Sequence, residues 1–323
     1  MAKTRIILDV DTGIDDALAL LYAVKADGIQ LEGITTGMGN VSLGQATLNT
    51  LQVLDLANAP AELPVAMGAE RPLFRRMPHT AEFIHGPNGL GGFELPATSR
   101  KPIDEHAADF IVRKASELDG ELTLVFVGRL TNLALALAKD PSIARKVNRL
   151  VLMGGALEVP GNVTPVAEAN IWGDPDAAHI VFESGMPITM VGLDVTMKTV
   201  MLERHIEQLK RQAAAGAEAQ VTFIEAILQF YFQAYERQNG FYGSPLHDPL
   251  AVAVALDPSL VSTEEHYIRI ETRGELSAGA TLSDRRRAPS VTNADVCVDV
   301  ESERFIEQFI QVLAQAQMEE EKR

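Results

Sequence analysis

Residues 6–20 are Ile6-Ile7-Leu8-Asp9-Val10-Asp11-Thr12-Gly13-Ile14-Asp15-Asp16-Ala17-Leu18-Ala19-Leu20, an apolar run that meets four carboxylates and then a second apolar run. The aliphatic residues before Asp9 predict a β-strand that is buried on both faces. Gly13 allows a tight turn, and the almost wholly apolar residues 14–24 predict a helix packed inside the protein. The pattern therefore predicts a buried strand, a turn and a buried helix, with acidic side chains at the turn.

Four aspartates crowd this turn: Asp9, Asp11, Asp15 and Asp16. A carboxylate in the first turn of a helix gains ~0.3–1 kcal/mol from the exposed N–H groups, which accounts for one or two of the four. Because no Lys or Arg lies between Arg5 and Lys25, a hard divalent cation with oxygen ligands is the simplest compensating charge. The turn also follows the carboxyl end of a strand, where ligands bind in open α/β sheets. The sequence favours a metal site over a purely structural helix start.

Strand and helix patterns alternate about six times along the chain, which predicts an α/β fold. Further strands are expected at residues 31–36, 63–67, 122–128, 148–153 and 188–193. Helices are expected at residues 42–57, 103–118, 203–238 and 304–317. Residues 267–272 and 296–300 are predicted to be late edge strands. The expected architecture is an open, mostly parallel doubly wound sheet, Rossmann-like, with extra helices.

Length and composition indicate a large core, since 46% of the 323 residues are hydrophobic. No linker rich in Pro, Ser or charge divides the chain, so we expect a single domain over residues 1–323. Residues 70–101 form a long predicted loop, and long loops in compact domains are usually functional. We expect this loop and the loop at residues 239–246 to be active-site loops. Residues 319–323 are expected to form a solvated tail.

The formal net charge is −16, from 28 Lys and Arg against 44 Asp and Glu. Nucleic acids and anionic membranes need a basic surface, so we expect neither as a partner. The single cysteine, Cys297, has no internal disulfide partner and is expected in the core. No apolar run approaches ~20 residues and no cleavable signal is present, so we predict a cytoplasmic protein.

Five motifs resemble those of the inosine-uridine preferring nucleoside hydrolase family. They are Asp9–Asp16, Gly128–Asn132, Met153-Gly154-Gly155, Gly161–Asn170 and His247-Asp248-Pro249. Each motif alone is a weak signal of the family. Together, the five are similar to the family's motifs in order and spacing over nearly the whole chain. The resemblance implies the nucleoside hydrolase fold, a ribonucleoside substrate, a calcium ion (Ca2+) and a homodimer or homotetramer.

The resemblance also implies a set of calcium ligands, namely Asp11, Asp16, the main-chain carbonyl of Thr131 and the carboxylate of Asp248. Asp9 would position its neighbours. A ribose pocket is implied by the same likeness, lined by Asp15, Asn40, Met153, Asn162, Glu168 and Asn170.

The chemistry that such residues supply is hydrolysis of an N-glycosidic bond to ribose and free base. Asp11 would act as general base on a calcium-bound water, while positive charge develops on the ribose ring. His247 is the candidate acid for the leaving base, and His85 could also approach it. Tyr231 and Tyr235 lie one helical turn apart, and such a pair is typical of family members with broad purine and pyrimidine specificity.

Structural alternatives remain for these residues. A lone His85 or His247 is more often structural than catalytic, and the two tyrosines could be core aromatics. The chain also departs from the family at Arg129, where Pro is usual, at Asn88, which is often acidic, and at Ala169, where Phe is usual.

Two other functions compete with nucleoside hydrolysis. A phosphohydrolase of the haloacid dehalogenase type also opens with Asp-x-Asp after a buried strand, and would use Asp9 as nucleophile; its later Lys and acidic pair are not convincingly present. A catalytically inactive calcium-dependent nucleoside-binding protein is the second. A serine hydrolase is disfavoured because no Gly-x-Ser-x-Gly motif occurs.

Overall fold

The computed structural model describes residues 3–76, 80–286 and 291–315. Within these ranges the strands are β1 (Thr4–Val10), β2 (Ile29–Thr36), β3 (Val65–Met67), β4 (Leu122–Phe126), β5 (Arg149–Met153), β6 (Ile188–Val191), β7 (Val200–Met201), β8 (Ser244–Pro245), β9 (Val261–His266), β10 (Arg269–Ile270), β11 (Thr281–Leu282) and β12 (Ala294–Val300).

The α-helices of the same ranges are α1 (Ile14–Lys25), α2 (Leu43–Leu56), α3 (Glu82–His85), α4 (Ala107–Glu117), α5 (Thr131–Lys139), α6 (Ile143–Lys146), α7 (Ala169–Gly173), α8 (Pro175–Phe182), α9 (Leu193–Thr196), α10 (Glu203–Gln212), α11 (Glu218–Asn239), α12 (His247–Leu256) and α13 (Ser302–Ala314). A 3-10 helix covers Pro258–Leu260.

The central sheet has the strand order β3-β2-β1-β4-β5-β6-β12-β9. Every neighbouring pair is parallel except β12 and β9, which are antiparallel. This confirms the predicted α/β fold with a mostly parallel, doubly wound sheet. The strand order reverses between β1 and β4, and a crevice for ligands forms at such a point, outside the carboxyl ends of the strands. The aspartate turn that follows β1 lies at this reversal.

Two apolar helices pack against each other beside the turn. All residues of α1 from Ile14 to Ala23 are buried, and so are the residues of α12 from His247 to Ala255. Because both helices are apolar on every face, they can only be interior helices. Their packing brings Asp248, in the first turn of α12, to the aspartates at the start of α1.

The late strands differ from the prediction. β12 lies inside the sheet, between β6 and β9, and the edge strand on this side is β9, which the sequence did not indicate. The side chains from Ser262 to Glu265 are exposed, so this strand lacks the apolar alternation on which the prediction depended. Of residues 267–272, only Arg269 and Ile270 form a strand, paired with β11 in a separate two-stranded sheet.

The helix expected at residues 203–238 is divided into α10 and α11. Helix α10 ends at its cap residue Ala213, whose ψ of 127° is not helical, and Gly216 in the connection has a φ of +92°, a left-handed conformation that favours glycine. The predicted tail at residues 319–323 and the last residues of the closing helix lie outside the described residues. In the described ranges, no helix combines the length and the apolar character needed to cross a membrane.

Candidate active site

The aspartate turn is held together by its own main-chain amides. The carboxylate of Asp16 accepts hydrogen bonds from the N–H of Gly13 at 2.9 Å and from the N–H of Asp11 at 3.0 Å. Asp9, Asp11, Asp15 and Asp16 are all buried. The tight turn that Gly13 allows therefore places three carboxylates, those of residues 11, 15 and 16, at the end of β1.

Asn40, which follows β2, binds two of these carboxylates. Its side-chain amide donates to Oδ1 of Asp11 at 3.2 Å and to Oδ2 of Asp16 at 3.0 Å. Its main-chain N–H donates to Oδ2 of Asp11 at 2.8 Å. The preceding Gly39 passes so close that a Cβ atom there would lie 1.6 Å from Oδ2 of Asp11. Asp11 is therefore fixed by the loop after β2.

Asp9 does not face the cavity. Its Oδ2 accepts hydrogen bonds from the hydroxyl of Thr35 at 2.5 Å and from the amide of Asn132 at 2.8 Å. Burial raises the pKa of Asp9 to about 7. Asp9 is buried and does not line the cavity, so its position gives no support to the alternative in which Asp9 is a nucleophile.

Asp248 joins the cluster from the other end of the chain. Side-chain oxygens of Asp15, Asp16 and Asp248 all lie within 4.8 Å of one another, and Oδ1 of Asp15 is buried without a hydrogen-bond partner. Burial, and then the neighbouring aspartates, raise the pKa of Asp248 well above its usual value and that of Asp15 to about 7. A buried set of oxygen ligands with an unpartnered member fits a hard divalent cation.

The side chain of Thr131 is engaged elsewhere. Its hydroxyl donates to Oδ2 of Asp174 at 2.7 Å, and the residue begins α5. The main-chain oxygen beside the cavity belongs to Val127, which follows β4 and accepts a hydrogen bond from the side-chain amide of Asn170 at 2.7 Å. The sequence signal for Val127 was its place at the carboxyl end of a strand.

A cavity of about 410 Å³ opens in front of the carboxylates. The predicted site residues that line it are Asp15, Asn40, His85, Met153, Asn162, Glu168, Asn170, Tyr231, Tyr235, His247 and Asp248. Asp11 and Asp16 do not line it but contact the lining residue Asn40. The cavity is also lined by Phe83 and Ile84 from the predicted loop at 70–101, by Val163 from the motif Gly161–Asn170, and by Trp172, Met197 and Gln238, which were not predicted as site residues.

One wall of the cavity carries polar groups that the main chain holds in place. Glu168 is buried at the start of α7, and its carboxylate accepts from the N–H groups of Gly155, Asn170 and Ile171 at 2.8–3.1 Å. The side-chain oxygen of Asn162 accepts from the N–H of Ala169 at 3.0 Å. Such a wall can bind hydroxyl groups in fixed orientations.

Another part of the lining is aromatic. The rings of Tyr231 and Tyr235 pack edge to face at 5.0 Å, and His85 lies against Tyr231 with ring centroids 5.6 Å apart. Nδ1 of His85 accepts from the N–H of Ile14 at 3.1 Å. Burial lowers the pKa of His85 to about 3 and that of His247 to about 4, so both imidazoles are neutral at pH 7. This wall can stack on a planar heterocycle and donate hydrogen bonds to it.

Asn88 and Ala169, two of the positions at which the chain departs from the family pattern, lie in different parts of the structure. The side chain of Asn88 bonds within its own loop, accepting from the N–H groups of Leu90 and Gly92 and donating to the carbonyl of Phe93. Ala169 lines the cavity, where its short side chain leaves space.

Comparison with known proteins shows one consistent likeness. The family model described as inosine-uridine preferring nucleoside hydrolase matches residues 6–307. The chain is 40% identical over 283 residues to a probable uridine nucleosidase 1 of Oryza sativa subsp. japonica, covering 88% of this chain and 86% of that protein. It is 39% identical over 312 residues to a pyrimidine-specific ribonucleoside hydrolase RihA of Shewanella sp. (strain ANA-3), covering 96% of both. A purine-preferring ribonucleoside hydrolase from Gardnerella vaginalis has a similar structure, with a TM-score of 0.90, 39% identity and coverage of 96% of this chain and 98% of that one.

Proposed function

Because the chain belongs to the inosine-uridine preferring nucleoside hydrolase family and is an N-glycosyl hydrolase of ribonucleosides, we propose that it acts on both purine and pyrimidine nucleosides, with calcium bound and Asp11 as general base. The observation that carries this proposal is the buried cluster of Asp15, Asp16 and Asp248, of which Asp15 and Asp248 line a cavity with one polar and one aromatic wall. A nucleoside has the same division into a polar sugar and a planar base.

The residues that would hold the ion are Asp11, Asp16 and Asp248, with the carbonyl of Val127 in place of the predicted carbonyl of Thr131. When bound there, calcium would hold the 2′ and 3′ hydroxyls of ribose and make the attacking water more acidic. The unpartnered oxygen of Asp15 would accept a hydrogen bond from one of those hydroxyls. Asn162, Glu168 and Asn170 would bind the rest of the sugar.

Asp11 would take the proton from the attacking water. Its carboxylate receives two hydrogen bonds from Asn40, which hold it in one orientation. General bases need such fixed geometry, because the proton must be within hydrogen-bond reach in the transition state. The surrounding carboxylates would also stabilise the positive charge that develops on the ribose ring as the bond to the base breaks.

Broad base specificity is supported by the aromatic wall. Tyr231, Tyr235, His85 and His247 offer stacking surfaces and donors that do not depend on one ring size. The relatives differ in what their names state: two act on uridine or pyrimidine nucleosides and one prefers purines.

The test is a ribose-release assay with inosine, uridine, cytidine and adenosine, run on protein stripped of metal and then reloaded with calcium or magnesium. We expect release from at least one purine and one pyrimidine nucleoside, restored by calcium. Asp11→Asn should lower kcat by about 10²–10⁴-fold while the fold is kept. Binding of nucleosides without ribose release would instead support the inactive binding protein, and full activity of Asp11→Asn would contradict the role of Asp11.

We further propose that residues 3–315 form one domain, with the loops at 70–101 and 239–246 beside the site. Thr80, His85 and Asn239 from these loops line the cavity. The homodimer or homotetramer and the cytoplasmic location stay predictions from the family resemblance and the sequence. Size-exclusion chromatography with light scattering measures the first, and localisation of the tagged full chain measures the second.

A further inference from the structure

Both ring nitrogens of His247 are engaged by hydroxyl groups. Nε2 lies 2.7 Å from the hydroxyl of Tyr235, which lines the cavity, and Nδ1 lies 2.8 Å from the hydroxyl of Thr196 in α9. Both threonine and histidine are buried. In the part of the chain that the structure describes, no ion pair involves His247, so only these two hydroxyls set the position of its hydrogen.

The hydroxyl of Thr196 has its hydrogen available for this contact. Three other helical threonines, Thr47, Thr50 and Thr222, donate their hydroxyl hydrogens to the carbonyl four residues back. Among the described residues Thr196 makes no such bond, and His247 is the side-chain partner described for it. The carbonyl of Thr196 itself accepts from the hydroxyl of Thr199 at 2.8 Å.

We propose that Thr196 is a positioning residue for the leaving base, because its hydroxyl donates to Nδ1 of His247 and so places the imidazole hydrogen on Nε2. Nε2–H then donates to the oxygen of Tyr235. The hydroxyl hydrogen of Tyr235 is then not used by His247, and it can be donated either to the neighbouring hydroxyl of Tyr231 or, when substrate is bound, to the heterocycle that leaves. With the opposite tautomer, Nδ1–H would donate to Thr196, Tyr235 would donate to Nε2, and no hydrogen would remain for the base.

In this hydrogen-bond chain, Tyr235 and not Tyr231 is the tyrosine that donates to the leaving base. The hydroxyl of Tyr231 donates to Oδ2 of Asp15 at 3.3 Å, on the sugar side. A hydrogen bond to the base stabilises the negative charge that it gains as the glycosidic bond breaks. This inference rests on the proposed function, because it concerns the departure of a base from ribose.

A comparison of two substrates distinguishes the positioning role of Thr196 from a general loss of structure. Inosine has a leaving group that needs a hydrogen-bond donor, whereas 4-nitrophenyl β-D-ribofuranoside releases 4-nitrophenolate, which is stable as an anion. We expect Thr196→Val to lower kcat for inosine by about ten- to hundredfold and kcat for the nitrophenyl riboside by less than about threefold. Thr196→Ser, which keeps the hydroxyl, should restore inosine hydrolysis.

Thr123→Val is the matched control, since Thr123 is equally buried but lies in β4 away from the cavity. It should leave both activities unchanged. In a Tyr235→Phe background, Thr196→Val should add no further loss, because the hydroxyl that it orients is absent. Equal losses on both substrates, or an unchanged rate on inosine, would overturn the proposal. Wild-type protein that releases no ribose from any nucleoside would instead overturn the proposed function.

The tautomer can also be measured directly without a variant of Thr196. In full-length protein labelled with ¹⁵N-histidine, one of seven imidazoles is assigned to His247 by its loss in His247→Gln. We expect nitrogen shifts typical of a protonated Nε2 and an unprotonated Nδ1. The reverse pattern would overturn the proposal even if Thr196→Val failed to fold.

Discussion

The hydroxyl of Tyr231 donates a hydrogen bond to Oδ2 of Asp15 at 3.3 Å, across 216 residues of sequence. Burial, and then the charge of Asp15, raise the pKa of Tyr231 well above its usual value, so the phenol stays protonated and remains a donor. Since the other oxygen of Asp15 has no hydrogen-bond partner, this contact orients the carboxylate toward the cavity.

Tyr231→Phe should therefore weaken sugar binding. We expect KM for inosine to rise by about tenfold with kcat changed little, because the hydrogen bond contributes on the order of 1–2 kcal/mol to ground state and transition state alike. Steady-state kinetics measures the two constants. Tyr267→Phe is the control, since it removes a hydroxyl that donates to Glu183 on the surface. A fall in kcat with unchanged KM would show that Tyr231 acts on the leaving base and not through Asp15.

The sequence predicted the parts of this site that depend on local pattern. The buried strand, the turn at Gly13 and the apolar helix identified the aspartates, and the family resemblance connected them to Asp248. The Val127 carbonyl was missed because a main-chain oxygen carries no side-chain signal, and its direction depends on where β4 ends and α5 begins. Thr196 was missed because its contact with His247 spans 51 residues and leaves no pattern in either segment.

The buried aspartates should contribute a stability of the metal-free protein that falls as the pH rises, against the opposite contribution of the buried neutral imidazoles of His85 and His247. Burial raises the pKa of Asp9 and Asp15 from 3.8 to about 7, so between about pH 4 and pH 7 the folded chain binds more protons than the unfolded chain. Stability is then fully present below the unfolded pKa and is lost as pH approaches the folded pKa. A bound cation offsets the repulsion between the ionised carboxylates, so calcium should stabilise the protein more at pH 7.5 than at pH 5.

Thermal melts of protein dialysed against a chelator, with and without added calcium, measure this difference. At a calcium concentration of about 100 Kd the added free energy of unfolding is about 2.7 kcal/mol. Asp248→Asn should reduce the gain in Tm at pH 7.5. If calcium raised Tm equally at both pH values, the cation would not be bound at these carboxylates.

Gly39→Ala should abolish most activity while sparing the fold. A Cβ at residue 39 would lie 1.6 Å from Oδ2 of Asp11, so the carboxylate must move. A displacement of about 1 Å in a catalytic group can lower the rate about 100-fold, and we expect a loss of kcat of that size. Gly44→Ala is the control, because nothing lies within 4 Å of a Cβ there and the residue is in α2. Unchanged ribose release by Gly39→Ala would show that Asp11 needs no fixed position.

Arg129, at the position where the family usually has Pro, is a buried cation whose charge acts on Asp11. Its guanidinium lies against Met38 and donates to the carbonyl of Gly39 at 3.4 Å, and a Cβ at residue 173 would lie 2.2 Å from its Nε. Burial lowers the pKa of Arg129, while the charge of Asp11 raises it. In turn, Arg129 opposes the rise in the pKa of Asp11.

Replacing this cation should have opposite effects on stability and on metal affinity. Arg129→Met keeps the long side chain but leaves the carboxylates without their neighbouring charge, so the metal-free protein should lose about 3 kcal/mol of unfolding free energy. In this variant no positive charge repels calcium, so the Kd for calcium should be about tenfold lower, which is a change of about 1.4 kcal/mol in the free energy of binding. Calorimetry measures this Kd. Arg129→Lys keeps the charge and should change the Kd little. Weaker calcium binding by Arg129→Met would mean that the guanidinium shapes the site through Gly39 and Asn40, and that its charge does not compete with the ion.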